Sequence, residues 1–431
     1  MPRGRPRKKP RPEEIPTEPE PEVQTKTPVE DHGCLKDDHI PSISDQGFVA
    51  HKIDNEKLLG ECGNPRFNGS IVRFKGKLLM GYRYYNPKDE GKTQIGIAEL
   101  DEGYNVVKNT HVNLTPHGST RIFEDCRLFE HNGKLYMSFA ELDIIGYPSF
   151  RVIQRLVQLG TLLQQARDFR LHVGGNYKKV EKNWSYYSDN GVLRCIYDIP
   201  TQHTFDVDEV NGVAVNEQKG KPINWSMGHL RGGTPLIPFE DGFIGFHHTG
   251  TDHEWLMRRY GMGVFTFKNK RLTGLSYGFL HGTRREEWCG KGNPRCVFPS
   301  GIVDDGDKYL VSCGVNDTFN SIVEVPKTLI EQQIKPISHF DKDHGRCFRI
   351  RKRKPILTLF GTEYVGLLVG LSGVHGCTHI FKTEDCYAIT SLEKSENVEE
   401  ITLEEYERLA SSLQVRNQGY TIPDYILKRK R

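Results

Sequence analysis

Five strand–turn–strand units in tandem predict an all-β chain, a five-bladed β-propeller. Three observations carry that prediction. The units recur at a spacing of roughly 50–60 residues, the length of one propeller blade. Each opens on a polar residue and turns at a glycine: Gly76, Gly133, Gly191, Gly242 and Gly306. The chain holds 43 Gly and 10% aromatic residues, which favours short strands and tight turns over helices. In a propeller the first strand of every blade lines the central axis. The polar residues at those strand starts are therefore expected to converge on one pocket.

Residues 1–35 come first and read as a tail. The basic stretch 2–11 leads into a Pro/Glu-rich stretch at 12–30 that offers almost nothing to bury, so disorder is expected. The Arg3-Gly4-Arg5-Pro6 core resembles an AT-hook. Gly lets the backbone sit deep in the narrow minor groove of AT-rich DNA, and the arginines lie along its floor. The plainer reading is a solubilising or localisation tail.

The units follow in order. The first pairs Phe67–Phe74 with Lys77–Arg83 and adds Thr93–Leu100. The second runs through 127–129, 135–140 and 151–159. It is preceded by a charged triplet, Glu124, Asp125 and Arg127. The third uses 183–187 and 193–197, the fourth 233–239, 243–247 and 261–267, the fifth 297–303, 309–313 and 321–325. Residues 55–328 are thus expected to form the propeller. Residues 329–431 are expected to form a small α+β extension, with a helix over 402–413 capped by Thr402 and a basic end, Lys428-Arg-Lys-Arg431.

The totals exclude several classes. A net charge of +3 does not suit a general polyanion binder. Ten cysteines without a CxxC pair argue against a zinc ribbon or a thioredoxin-like site. No apolar run approaches the roughly 18 residues of a membrane span, and the start is not a signal peptide. An intracellular, reducing location is expected, in the cytoplasm, or in the nucleus of a eukaryotic host. Nothing calls for a membrane, a metal or an organic cofactor.

Across 60–325 the order of motifs resembles the five-bladed glycosidase superfamily, and within it the β-mannoside phosphorylases and related mannosyltransferases. Asn68 and Tyr82-Arg83 match the first blade. Asp125-Cys126-Arg127 stands where the family has Asp-Pro-Arg. The Gly-rich stretch from Arg231 to His248 and Tyr260-Gly-Met-Gly263 match the fourth blade. Phe298-Pro-Ser-Gly301 and Gly314-Val-Asn-Asp317 match the fifth.

The resemblance implies a glycosyl transfer with Asp125 as the single proton-transfer residue, catalysed by a glycosyltransferase or a glycoside phosphorylase. It implies sugar or sugar-phosphate binding by Asn68, Arg83, Arg127, Lys182, His248, Tyr260 and Asp317. Lys182, His229 and Arg231 stand where the family binds phosphate. His229 replaces an expected lysine, so a sugar-phosphate or nucleotide-sugar donor stands beside phosphorolysis.

The chemistry fits: glycosyl transfer needs an acid or base at the bridging oxygen and charge stabilisation at the ring. Adjacent strand residues point to opposite faces, which excludes Glu124 from the pocket and lets one of His247 and His248 enter it. With His253, these histidines lack metal-ligand spacing. Trp184 either stacks on a sugar or fills the gap between blades. Asp125 has a structural alternative, a salt bridge to Arg127. The competing function is a degraded propeller serving as a DNA- or glycan-binding module. Tail and pocket on one chain also suggest a DNA base as the sugar acceptor.

Overall fold

A computed structural model describes residues 42–341 apart from 45, 87–91, 119–121, 147–148, 170, 172, 174–179, 226–228, 252–258 and 283–295. Beyond 341 it describes strand segments between 346 and 401, with 402, 404, 405 and 408. The AT-hook-like stretch, His253, most of 402–413 and the Lys428–Arg431 end lie outside the described residues.

Five antiparallel sheets follow the predicted units. The described chain begins with β1 (Val49–Lys52). Blade 1 is β2 (Arg66–Phe74), β3 (Lys77–Tyr85), β4 (Thr93–Leu100) and β5 (Val106–His111). Blade 2 is β6 (Ile122–His131), β7 (Lys134–Gly146), β8 (Ser149–Leu159) and β9 (Gln165–Phe169). Blade 3 is β10 (Ser185–Asp189), β11 (Val192–Asp198), β12 (His203–Asp208) and β13 (Val213–Gln218). Blade 4 is built on β14 (His229–Gly232), β15 (Ile237–Phe239), β16 (Gly242–Thr251), β17 (Arg259–Lys268), β18 (Arg271–Leu275) and β19 (Leu280–His281). Blade 5 is β20 (Val297–Asp305), β21 (Lys308–Val315) and β22 (Phe319–Pro326).

Two additions complete the ring. β1 pairs with β22, Val49 opposite Glu324 and Lys52 opposite Ser321, so it forms the outer strand of blade 5. That strand lies ahead of residue 55, where the propeller is expected to begin. After blade 5 a short helix, α1 (Lys327–Gln333), leads to β23 (Lys335–Pro336), which pairs with β18 of blade 4.

Strand alternation gives each blade two apolar faces, and each face meets a neighbouring blade. Leu79, Ile97, Leu128 and Met137 pack blade 1 on blade 2. Phe129, Leu156, Tyr186 and Phe205 pack blade 2 on blade 3. Tyr187, Ile196, Leu236 and Phe265 join blades 3 and 4. Phe246, Val264, Val311 and Val323 join blades 4 and 5. Ile71, Met80, Val303 and Leu310 join blade 5 back to blade 1. Burial of apolar side chains drives this packing, and because every blade has two neighbours the ring closes.

Buried polar groups stitch the inner strands. Leu128 N donates to Ser70 Oγ at 2.9 Å, and Ile71 N donates to Ser312 Oγ at 3.0 Å. Gly69 N donates to Asn320 Oδ1 at 2.7 Å, and Asn320 Nδ2 donates to Arg66 O at 3.1 Å. Each satisfies a backbone group that no strand pairing reaches, sparing the cost of a buried unpaired group.

Candidate functional site

The pocket is built by a backbone feature repeated around the axis. In β2 the pairing register slips by one residue between Phe67 and Ser70, and in β6 between Glu124 and Arg127. A third slip lies between Pro299 and Gly301 of β20. Each is a β-bulge, an extra residue that bends the strand and re-aims its side chains. Asn68 and Asp125 sit in the first two bulges with φ of 53° and 52°, and Asn183, just before β10, has φ 67°. Asn and Asp are the non-glycine residues that best tolerate this left-handed conformation.

Asp125 is 5% exposed. Asn68 Nδ2 donates to its Oδ1 at 2.8 Å. Arg83 Nη1 lies 3.8 Å from Oδ1, and Lys182 Nζ lies 4.0 Å from Oδ2. Burial pushes this carboxyl toward the neutral form. Lys182, Arg83 and the Asn68 amide outweigh burial and hold its pKa below the usual value. The carboxylate therefore stands ionised among cations.

Glu124 corrects the alternation argument. The bulge breaks the up–down order, and Arg83 reaches both acids, with Nη2 donating to Glu124 Oε1 at 2.8 Å. Glu124 lines a cavity of about 490 Å³ with Lys182, Asn183, Arg231 and Gly232. Arg83 itself lies over the Phe67 ring at 4.9 Å. Burial lowers its pKa, but Glu124 and Asp125 outweigh burial and raise it, so the guanidinium stays charged.

Arg127, expected to bind sugar, is 1% exposed and held by protein acceptors instead. Its Nη1 donates to Asp125 O at 3.1 Å and its Nη2 to Asn183 Oδ1 at 3.1 Å and Gly232 O at 3.4 Å. Its Nε donates to Gly233 O. Its guanidinium carbon lies 5.5 Å from the Phe298 ring centroid. Arg127 thus ties the starts of blades 2, 3 and 4 together and braces Asp125 through the backbone. A salt bridge between the two side chains is not among these contacts.

Cys126, where the resemblance implies a proline, faces into the core between blades 1 and 2. It is fully buried beside Ile95, Ile97, Phe123 and Leu128. Burial pushes its thiol up to about 12, with Asp125 adding to the shift, so it is an inert small apolar side chain.

The remaining expected residues divide. Lys182 and Arg231 line the cavity, while His229 lies exposed on β14. His248 is 1% exposed, stands opposite Arg231 in the β14–β16 register, and contacts the rings of Tyr260 and Phe298 at 5.1 and 4.7 Å. Burial first, then Arg231 and Arg127, keep it neutral. His247 turns the other way, against Trp225 and Phe265, with Nε2 3.0 Å from Ser276 O. Asp317 sits in the β21–β22 turn with φ 49° and adds its charge to the field at Arg83. Trp184 is 3% exposed, packs edge-on to Phe205 at 5.5 Å and also lines the cavity.

Sequence reasoning excluded Glu124 and missed Asn183. The regular spacing of Asn68, Asp125 and Asn183 was the signal for Asn183; nothing in the sequence marks the bulge that turns Glu124 inward. Asn68 Oδ1, Arg83 Nε and His248 Nδ1 are buried without a hydrogen-bond partner among the described residues. Buried polar atoms of this kind leave hydrogen-bonding capacity that a polar ligand could take up.

No family model matches the chain, and no curated protein matches it. Solved structures do resemble it. A β-1,2-mannobiose phosphorylase from Listeria innocua, in complex with β-1,2-mannobiose, superposes with a TM-score of 0.50 at 15% identity, over 66% of this chain and 98% of that one. A putative glycoside hydrolase from Parabacteroides distasonis gives 0.48 at 15% identity, over 61% and 87%. A GDP-Man-dependent mannosyltransferase from Leishmania mexicana gives 0.44 at 15% identity, over 64% and 90%. The first of these likenesses supports what the sheets and inter-blade cores already establish: the fold is a five-bladed β-propeller.

Proposed function

We propose that the chain moves a glycosyl unit between phosphate and a hydroxyl group, as a transferase or phosphorylase, with Asp125 as its proton-transfer residue. The observation that carries this reading is the carboxylate itself. The left-handed backbone is met by asparagine at 68 and 183, yet position 125 carries a buried acid ringed by Arg83 and Lys182.

In the transfer direction, the bond from the sugar's anomeric carbon to phosphate oxygen breaks. Phosphate leaves with the electron pair. The acceptor oxygen forms the new bond, and its proton goes to Asp125. Phosphorolysis is the reverse: protonated Asp125 returns its proton to the bridging oxygen. Lys182 and Arg231, with Arg83 close by, supply charge-assisted bonds for phosphate. An anion seated there offsets the field that keeps Asp125 ionised, so phosphate binding raises its proton affinity. Asn68, His248, Tyr260 and Asp317 then hold sugar hydroxyls. The phosphorylase likeness suggests mannose as the first sugar to test. The altered cation at His229 keeps nucleotide sugars among the donors.

The test is a screen of sugar-1-phosphates and nucleotide sugars, with hexose acceptors, for release of phosphate or nucleotide. Release from one donor that is absent in Asp125→Asn supports the reading; no release from any donor overturns it. Arg3-Gly4-Arg5-Pro6 adds a second component, a tether to AT-rich DNA, tested separately by its salt dependence.

A further inference from the structure

The cavity beside Asp125 extends outward between blades 2, 3 and 4, and its outer part is unlike its inner part. At the inner end stand Glu124, Lys182, Asn183 and Arg231. The outer wall is the face of one sheet. Leu142 is paired with Val152 across β7 and β8. Val152 is in turn bridged in parallel to Val180, with Glu181 N donating to Val152 O at 2.8 Å. Paired residues share a face, and Phe150, two residues before Val152 on β8, shares it too. Leu142, Phe150, Val152 and Val180 therefore form one continuous apolar wall of the cavity.

Its dimensions follow from strand geometry: about 10 Å across three strands and about 7 Å along β8. That is the footprint of one or two fused flat rings. Phe150 is 39% exposed and Val180 41% exposed, so the wall is open to solvent at its lip. Tyr197, Asp198, Ile199 and Leu230 also line the cavity.

Resting on the proposed glycosyl transfer, we propose that this wall seats an aromatic ring carried by the acceptor or leaving group. The wall presents no hydrogen-bonding side chain, so a second sugar lying on it gains no partner there for its hydroxyls. A flat aromatic group loses nothing there and buries more apolar surface. Its attachment oxygen then points inward, toward Lys182 and Asp125.

The experiment uses the full chain and matched methyl and phenyl glycosides of the common hexoses, both anomers, with binding measured by calorimetry. A phenyl glycoside is expected to bind about tenfold more tightly than its methyl partner, roughly 1.4 kcal/mol. The preference falls to about twofold or less in the double variant Phe150→Ser with Val180→Ser. It survives in Phe150→Tyr, which keeps the ring, and in Asp125→Asn, which lies outside the wall. Both altered side chains are partly exposed, and an unchanged melting temperature verifies the fold.

Equal binding of methyl and phenyl glycosides overturns this inference while leaving the proposed function standing, as does a preference that outlasts loss of both side chains. If no glycoside binds at all, the inference falls, and the donor screen alone decides the proposed function. A parallel arm with 5-hydroxymethyl nucleosides separates the two sources of the ring. Preferential binding of a nucleoside that is lost in the double variant assigns the wall to a nucleobase acceptor rather than to an aryl glycoside.

Discussion

Asp125, Asn68 and Asn183 share one backbone conformation, and only Asp125 carries a charge. The backbone therefore accepts asparagine at 125. Asp125→Asn is expected to fold, with a melting temperature within about 4 °C of the parent, the scale of a 1 kcal/mol change in a domain this large. It is expected to lose at least 10²–10⁴-fold in turnover, about the contribution of a positioned proton-transfer group. Initial rates on the donor found by the screen check it. The direction of the Asp125 shift sets a second expectation. Its pKa is depressed, so the ionised form persists through neutral pH and is lost only as pH falls through the lowered value. Transfer activity follows that form. Lys182→Met removes a cation that depresses the pKa, so the acid limb of the pH–rate profile moves to higher pH. A limb that stays in place removes Lys182 from the tuning. The sequence marked Asp125 by its charged triplet and Asn68 by the family resemblance, and the fold brings the two side chains within 2.8 Å. The place of Glu124 in the pocket was not legible, because strand alternation fails at a bulge and a bulge leaves little trace in residue type.

The innermost strands set the positions of these groups, and they crowd together. Gly314 of β21 lies against Asn68, whose backbone nitrogen would be 2.7 Å from a Cβ at that position and whose side-chain oxygen would be nearer still. Gly232 of β14 meets Asn183 and Ser185 in the same way. Glycine is needed at these points for close approach, with no special φ involved. Gly314→Ala is expected to cost about 1–3 kcal/mol, as overpacking does, and to lower activity as well, because the displaced atoms belong to the Asn68 side chain that holds Asp125. Denaturant midpoints together with rates on the folded variant separate the two effects. The five-unit grammar made these strands legible, since each unit opens on a polar residue and turns at a glycine. β1 and β23 were not legible. Four residues and two residues give too short a pattern, and their partners, β22 and β18, lie far away in sequence.

At the scale of the whole chain, the ring and the tail make separate predictions. Removing 2–35, the expected tail, should leave the melting temperature unchanged, whereas removing 2–54 takes away β1 and lowers it by more than about 4 °C. Thermal scans of the two truncations check this. Removing 2–11 takes away six basic residues, so the log–log salt slope of binding to AT-rich duplex flattens by up to about 5. An unchanged slope assigns the tail another role. The pairing of β1 with β22 also fixes when the molecule can be finished. The ribosome makes Val49–Lys52 before any blade, and its partner Phe319–Pro326 after all of them. At ordinary elongation rates that interval is on the order of tens of seconds. Throughout it the nascent chain holds an unpaired strand and an open seam. The seam shuts only after blade 5 has left the exit tunnel, so a message truncated before that point yields a chain with four blades and no closed axis.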